Sequence, residues 1–307
     1  MMFTGIRLFP ATLKINFVSM RYVTYGLSIF VTLATIAGYF LKDINYGIDF
    51  TGGTLMETRF SDIPDLGKLR SELANLPMAE ISLQEFGTPQ DLLIRLDQKE
   101  RTDKQQAQVI QKVKEILGPD VEYRRIETIG PKMGAELISN SIQATLWAMI
   151  AMLIYVWLRF EWQFGLCSII ALIHDSIGVL SLYTIFGLEF NSTTIVAILI
   201  TIGYSINDTV VIYDRIRENL RKYKKMDLAK LVNISINETL SRTTLTSAST
   251  LIALLALYLF GGDLIASYSL PILLGIAFGT YSSIFLAAPL LVTLGFKVHE
   301  EEKQPEF

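Results

Sequence analysis

Two acidic residues lie inside long apolar stretches of this sequence, where a charged group is costly. Asp175 follows His174 in one stretch and Asp208 follows Asn207 in another, and neither stretch holds a second Asp, Glu, Lys or Arg. A charge at the centre of a membrane helix costs about 2.5 to 3.5 kcal/mol on insertion scales. A carboxyl in such a place is expected to face protein or a wet cavity, and the chemistry open to it is the gain and loss of a proton.

A cation stands at the start of another apolar stretch and could exchange with one of these acids. A nearby guanidinium stabilises an ionised carboxyl, whereas a bound proton neutralises it. We therefore predict that Asp208 alternates between a proton and Arg242. Tyr204, Asn207 and His174 are further candidates for the relay or for helix packing. Arg242 is followed by hydroxyl side chains that can line a polar path, namely Thr243, Thr244, Thr246, Ser247, Ser249 and Thr250.

Structural interpretations of the same residues stay open. Asp208 could simply bridge two helices, and Arg242 could extend to the membrane surface as interfacial arginines do. Asp175 could tie its helix to a neighbour or belong to the relay. His174 is expected to be a hydrogen-bonded histidine, because no second His or Cys cluster accompanies it to bind a metal.

The composition predicts a membrane protein. Hydrophobic residues make up 51% of the 307 residues and charged residues 19%, against roughly 25% charged residues in soluble domains. The mean hydropathy is +0.40. The single cysteine, Cys167, cannot close an internal disulfide, and the net charge of −3 gives no basic field for nucleic acid. A membrane helix needs about 20 apolar residues, and six runs of this kind occur, at 22–41, 138–158, 165–187, 193–213, 243–260 and within 264–296.

Lys and Arg near the ends of the predicted helices give their orientation. Residues 213–242 carry eight basic and four acidic residues. We therefore predict that residues 1–21, the basic loop 213–242 and the tail 297–307 are cytoplasmic. Residues 42–136 are then exported to the periplasm, and residues 137–296 form a five-helix transmembrane bundle behind the first helix.

The exported segment is predicted to fold. Its order of elements, β-α-β-β-α-β, is typical of a ferredoxin-like domain, with two separate hairpin-helix lobes as the rival. The predicted elements are a strand at 54–60, a helix opened by Asp65 and ending at Leu76, a strand at 81–86, a turn at 87–90, a strand at 92–96, a helix capped by Asp103 and ending at Leu117, and a strand at 121–129. The sequence thus predicts a polytopic α-helical membrane protein. It has six transmembrane helices and a small α+β (ferredoxin-like) periplasmic domain between the first and second, with a mechanical or binding role.

Several segments resemble the signatures of a known family. They are GIDFTGGT at 47–54, RFEW at 159–162, HD at 174–175, GYSINDTVV at 203–211, SRT at 241–243 and LFGG at 259–262. Together they resemble the bacterial SecD/SecF protein-export family over nearly the whole chain. Three features are more similar to the SecF branch than to the SecD branch. They are the motif Gly-Tyr-Ser-Ile-Asn-Asp, the six helices and the single small exported domain.

The resemblance implies an accessory subunit of the Sec translocon in the bacterial inner membrane, and not an enzyme. Such a subunit forms a heterodimer with SecD, acts with the SecYEG channel, and has YajC and YidC as further expected partners. Embedded in the lipid bilayer, it uses the proton motive force, with the proton as coupling ion and no cofactor, to help draw unfolded preproteins out on the periplasmic side. No nucleic acid is involved.

The resemblance also implies roles for particular residues. Asp208 and Arg242 fall on the family's intramembrane acid and arginine, and a further acid is expected from SecD. Asp49, Gly52 and Gly53 fall on its signature turn, which we expect to fix the stalk of the exported domain to the membrane.

Other classes stay open at this point. A half-transporter of the resistance-nodulation-division type would move a small solute or lipid. An intramembrane aspartyl protease would use Asp175 and Asp208 as a dyad, although the Gly-x-Gly-Asp pattern of those enzymes does not occur. A scaffold that moves no ion would tolerate substitution of Asp208 and Arg242.

Overall fold

A computed structural model of the chain describes residues 14–74, 76, 81–97 and 102–295. The predicted tail 297–307 and the first thirteen residues of the predicted N-terminal segment lie outside this range. The elements in chain order are α1 (Arg21–Lys42), α2 (Ile48–Thr51), β1 (Gly53–Phe60), α3 (Leu66–Ala74), β2 (Ile81–Phe86), β3 (Thr88–Leu96), α4 (Asp103–Leu117), β4 (Val121–Ile129), α5 (Pro131–Arg159), α6 (Trp162–Phe186), α7 (Ser192–Lys222), α8 (Leu228–Phe260), α9 (Gly262–Ser282) and α10 (Ala288–Thr293).

The chain divides into two compact units. One, here called the sheet domain, consists of Ile44–Thr145 and Gly187–Ile195. The other, here called the helical unit, consists of the chain before, between and after these two segments. Helices α5 and α7 therefore begin in the sheet domain and continue in the helical unit.

Six helices are long and apolar enough to cross a membrane, which confirms the predicted number within the described residues. They are Val18–Lys42, Lys132–Arg159, Trp162–Phe186, Ser192–Lys222, Leu228–Phe260 and Ile265–Thr293. The last combines α9, a π-helical turn at Ser283–Ala287 and α10.

The predicted basic loop at 213–242 is mostly helical instead. Helix α7 continues to Lys222 and α8 begins at Leu228, so that only five residues connect them. Arg, Lys and Glu are strong helix formers, and pairs such as Arg215 with Glu218, 2.6 Å apart, support the extended helix end. Hydropathy detects the apolar part of a helix but gives no signal for a polar continuation of that helix.

The π-helical turn lies just before a proline. Pro289 has no N–H to donate to the carbonyl of Phe285, four residues earlier. The hydroxyl of Thr24, on α1, donates to that carbonyl at 3.2 Å. A side chain of the first helix thus satisfies a backbone group that the last helix leaves free.

The sheet domain has four antiparallel strands in the order β2-β3-β1-β4. The order of strands and helices along the chain is the predicted β-α-β-β-α-β. One face of the sheet packs against α3 and α4, because alternate residues of β1 and of the second half of β3, such as Met56, Leu92 and Ile94, are buried on that face. The core so formed contains Met56, Leu69, Leu73, Leu92, Ile94, Leu96, Val113, Leu117 and Val121.

Two local predictions in this domain were wrong by one to four residues. Strand β3 begins at Thr88, because the connection to β2 is a single residue, Gly87, rather than a turn over 87–90. The cap of α4 is Thr102 and not Asp103, since Thr102 forms a capping box with Gln105. Asp65 does cap α3, and its carboxylate accepts from the backbone N–H of Gly67 at 2.9 Å.

We expect that Leu73→Ala destabilises the sheet domain by about 2 to 5 kcal/mol, because the side chain is fully buried against the sheet. Ile63→Ala is the matched control, since Ile63 is 69% exposed. The urea dependence of proteolysis of the detergent-solubilised full chain measures the difference. Equal resistance of the two variants would contradict this core.

Candidate proton-carrying site

The carboxyl of Asp208 is buried between three helices. It lies on α7 and is 3% exposed. The hydroxyl of Ser247, on α8, donates to Oδ2 at 3.1 Å, and the hydroxyl of Thr280, on α9, donates to the Ser247 oxygen at 2.8 Å. The acid is therefore held by a short chain of hydroxyl groups, which can accept and donate protons in turn.

Arg242 lies on the exposed side of α8. Among the described residues no ion pair joins its guanidinium to the Asp208 carboxyl, whose hydrogen-bond donor is Ser247. A guanidinium on an apolar helix needs a polar partner or water. The predicted alternation of Asp208 between a proton and Arg242 stays a prediction.

Asp175 has a different and fuller set of partners. Its side chain is 0% exposed. Oδ2 accepts from the hydroxyls of Ser205, on α7, at 2.6 Å and Ser282, on α9, at 2.8 Å. Nδ1 of His174 lies 3.2 Å from Oδ1. These contacts tie α6 to α7 and α9 and support the helix-tie interpretation, while proton transfer at Asp175 stays a prediction.

The second ring nitrogen of His174 has no partner among the described residues. The ring packs beside Phe278, with centroids 6.1 Å apart, and Tyr281, with centroids 6.0 Å apart. The sequence predicted a hydrogen-bonded histidine, and one nitrogen meets that description. No group of three or more His, Cys, Asp or Glu that could hold a metal occurs in the part of the chain that is described.

The other two relay candidates point elsewhere. The hydroxyl of Tyr204 lies 3.1 Å from that of Thr250, on α8, and Asn207 is exposed. Neither contacts the Asp208 carboxyl within the described range. Their role in a relay stays a prediction.

Sequence reasoning missed the serines that complete the site. Ser205 lies one helical turn before Asp208 and donates to the other acid, Asp175. Ser283 donates to the Ser205 carbonyl at 3.2 Å and lies 2.8 Å from the Thr209 hydroxyl. The available signal was the run of hydroxyl residues at 280–283 inside an otherwise apolar helix. The pairing of that run with a particular acid depends on the tertiary packing.

Glycines on α9 allow this close packing. A Cβ added at Gly279 would lie 2.8 Å from the Cβ of Ser205, and one added at Gly275 would collide with the Thr201 hydroxyl. Small residues at such positions let membrane helices approach closely. The hydroxyl contacts between α7 and α9 therefore require glycine at these positions.

The signature turn predicted from Asp49, Gly52 and Gly53 lies in the sheet domain. Gly52 and Gly53 both adopt positive φ, at 73° and 127°, a region that favours glycine. A Cβ on Gly53 would lie 2.5 Å from the carbonyl oxygen of Leu96 on β3. The Asp49 carboxylate accepts from the backbone N–H of Ser192 at 2.9 Å and from its hydroxyl.

The fold and the site define a class: a polytopic helical membrane protein with buried acids among hydroxyl-bearing helices and one small α+β domain. The sequence matches the family described as "Protein export membrane protein SecD/SecF, C-terminal" over residues 108–297 and the "SecD/SecF GG Motif" over residues 44–62. The chain belongs to the SecD/SecF family of protein export membrane proteins.

Curated relatives named "Protein translocase subunit SecF" match nearly the whole chain. The relative from Rickettsia bellii is 44% identical over 300 residues, which is 96% of this chain and 98% of that protein. The relative from Rickettsia akari is 45% identical over 288 residues, 93% of this chain and 94% of that protein.

Solved structures of SecDF are similar as well. The crystal structure of the translocon-associated membrane protein SecDF from Thermus thermophilus matches with a TM-score of 0.82 and 34% identity over 94% of this chain. A second SecDF structure, in a form described as super-membrane-facing, matches with a TM-score of 0.67 and 37% identity. This chain spans 39% of each SecDF chain.

We expect that Gly279→Ala loosens the contact between α7 and α9, because the new Cβ displaces Ser205 and with it the hydrogen bond to Asp175. The midpoint of thermal unfolding of the purified protein in detergent should fall by several degrees, for a loss of about 1 to 3 kcal/mol. Gly203→Ala is the control on α7, since no atom lies within 4 Å of its added Cβ. An unchanged midpoint in Gly279→Ala would contradict the close approach.

Proposed function

We propose that this chain is an accessory subunit of the Sec preprotein translocase that works with SecD and uses the proton motive force to complete export on the periplasmic side. Its SecF-named relatives are protein translocase subunits, which supports a role in translocation. The six candidate membrane helices fit a multi-pass inner-membrane protein. The names of these relatives do not mention a proton-driven step, and we propose that step from the buried site.

The observation that carries the proposal is the Asp208 carboxyl, which is buried and lies at the end of a chain of hydroxyl groups from α8 and α9. A proton on Asp208 removes the attraction to Arg242, and its release restores that attraction. Because the carboxyl is packed between α7, α8 and α9, each change alters the forces between these helices. Proton uptake and release can in this way be converted into helix movement.

The available energy is sufficient for such a step. One charge crossing 100 mV gives about 2.3 kcal/mol, and a tenfold proton gradient adds about 1.4 kcal/mol. Together they would bias a two-state equilibrium by a factor of several hundred, whereas a full switch from 1:99 to 99:1 needs about 10⁴. One proton per step therefore biases the equilibrium strongly without reversing it completely.

The proposed SecD partner fits the exposed surfaces of the helical unit. The membrane windows of α1, α5 and α8 are 17%, 6% and 11% buried within the chain, so most of their apolar surface is available to a second protein or to lipid. The exposed guanidinium of Arg242 lies on one of these helices. We propose that SecD covers α8 and supplies the acid that Arg242 meets.

The sheet domain is proposed to be the exported, ferredoxin-like part of the subunit. The strand order β2-β3-β1-β4 with helices between β1 and β2 and between β3 and β4 has the split βαβ arrangement. The basic residues between the ends of α7 and α8 favour the cytoplasmic side for those ends. The sheet domain, at the opposite ends of α5 and α7, would then be periplasmic and contact the unfolded preprotein.

We propose further partners for this subunit besides SecD. An accessory subunit that draws preproteins outward must act next to the SecYEG channel, and YajC and YidC are the further partners expected. The proton is proposed as the coupling ion, and the Asp175 pair with His174 is proposed as a helix tie beside the relay. No enzymatic step is proposed.

The decisive test is Asp208→Asn in membrane vesicles. We expect that the variant assembles with SecD and exports a preprotein at the gradient-independent rate, but loses the stimulation by a proton gradient, because an amide cannot take up and release a proton. Export is measured as protease-protected preprotein with and without the gradient.

Glu218→Gln is the matched control, because Glu218 is an exposed acid on the same helix, paired with Arg215. The control should keep the full response to the gradient. If Asp208→Asn responds to the gradient like the original chain, the proton-carrying role is wrong and a passive scaffold remains.

A further inference from the structure

The segment that leads into α7 belongs to the sheet domain rather than to the helical unit. The N–H of Gly47 donates to the carbonyl of Phe190 at 2.8 Å, and the N–H of Phe190 donates to the carbonyl of Asn45 at 2.8 Å. The Phe190 ring packs between those of Phe50, with centroids 5.5 Å apart, and Tyr46, with centroids 6.0 Å apart. The chain before α2 thus pairs like a strand with the segment before α7.

A partly buried ion pair reinforces this junction. The guanidinium of Arg95, on β3, lies 2.9 Å from the carboxylate of Glu189, and the two side chains are 15% and 23% exposed. Arg95 also donates to the side-chain oxygen of Asn45 at 3.2 Å and to the carbonyl of Tyr46 at 2.9 Å. One side chain of the sheet therefore contacts both segments of the junction.

The acid of the signature turn caps the first turn of α7. The Asp49 carboxylate accepts from the N–H and the hydroxyl of Ser192, the first residue of that helix, 143 positions away in sequence. A carboxylate at this place satisfies a backbone N–H that the helix itself leaves free and favours the helix dipole. A local cap is already present in Asn191, whose side-chain oxygen accepts from the N–H of Thr193 at 3.1 Å. Asp49 is therefore not needed merely to begin the helix.

The same turn also contacts the start of α5. A Cβ added at Gly134 would lie 3.0 Å from the carbonyl oxygen of Phe50 and 3.3 Å from that of Asp49. Glycine at this position lets the first turns of α5 lie directly against the backbone of α2. The turn is thus in contact with the beginnings of two candidate membrane helices, and one of them is the helix that carries Asp208.

We propose that Asp49 and Arg95 are positioning residues that couple the sheet domain to α7, so that a shift of α7 at Asp208 is transmitted to the domain. Asp208 lies sixteen residues after Ser192 on the same continuous helix, about 24 Å along its axis at 1.5 Å per residue. A helix transmits an axial shift over that length without bending, provided that its end is held. This inference rests on the proposed proton-carrying role of Asp208 and assigns the signature turn a part in using that proton.

The test compares two substitutions at Asp49 in the full chain assembled with SecD. Asp49→Ala removes Oδ2, the oxygen that accepts from both the N–H and the hydroxyl of Ser192, whereas Asp49→Asn keeps one oxygen for the N–H of Ser192. We expect that the stimulation of preprotein export by a proton gradient falls about fivefold or more in Asp49→Ala and is largely restored in Asp49→Asn. The gradient-independent rate and the amount of complex should stay near those of the original chain.

Asp62→Ala is the control, because Asp62 is an exposed acid in the same domain, two residues after the end of β1. The second measurement uses the ion pair. Arg95→Glu and Glu189→Arg should each lower the stimulation, and the double exchange should recover part of it, since the charges are again opposite. Undiminished stimulation in Asp49→Ala would overturn the coupling, and undiminished stimulation in both single exchanges would remove Arg95 from it.

The outcomes separate this inference from the proposal on which it rests. If the original chain is stimulated and Asp208→Asn is not, while Asp49→Ala responds fully, the coupling is wrong and the proton-carrying role stands. If the original chain shows no stimulation by the gradient, the proton-carrying role fails and the coupling fails with it. If Asp49→Ala loses assembly together with export and Asp49→Asn does not recover the stimulation, the residue is structural and the coupling is wrong.

Discussion

The structure of the helical unit depends on the cost of a carboxyl group surrounded by apolar helices. Each such group must be given hydrogen-bond donors, and the hydroxyl donors come from neighbouring helices. Ser205 and Ser282 reach Asp175, and Ser247 reaches Asp208. This requirement fixes which faces of α6, α7, α8 and α9 meet, and it explains why a bundle of apolar helices has a hydroxyl-lined interior.

The two acids differ in the number of their hydrogen-bond partners. Asp175 has three side-chain partners, and its two serine donors join α6 to α7 and α9. Asp208 has a single serine donor. A carboxyl with few hydrogen bonds loses little stabilisation when it gains or loses a proton. The same change at a carboxyl with many hydrogen bonds would break several contacts between helices. Movement is therefore more compatible with the site at Asp208.

Periodicity and hydropathy predicted most of the helices and strands, because buried residues recur along the chain with the period of a helix or a strand. The six apolar helices and the strands at 81–86 and 121–129 follow from local patterns. The helical continuation of α7 to Lys222 did not, since a polar helix end has no hydropathy signal. The acids were identifiable because a lone charge in an apolar run is conspicuous. Ser205 and Ser282 were not, since a serine becomes a partner only through tertiary packing.

The contact between Asp49 and Ser192 has a consequence for the order in which the protein is made. A ribosome completes all four strands of the sheet domain well before it reaches Ser192, and α5 and α6 are synthesised in between. The sheet domain therefore lacks its segment Gly187–Ile195 until α5 and α6 have been synthesised. Its final folding step waits for membrane insertion, and long-range closure of this kind is slow because the ends must meet across a large loop.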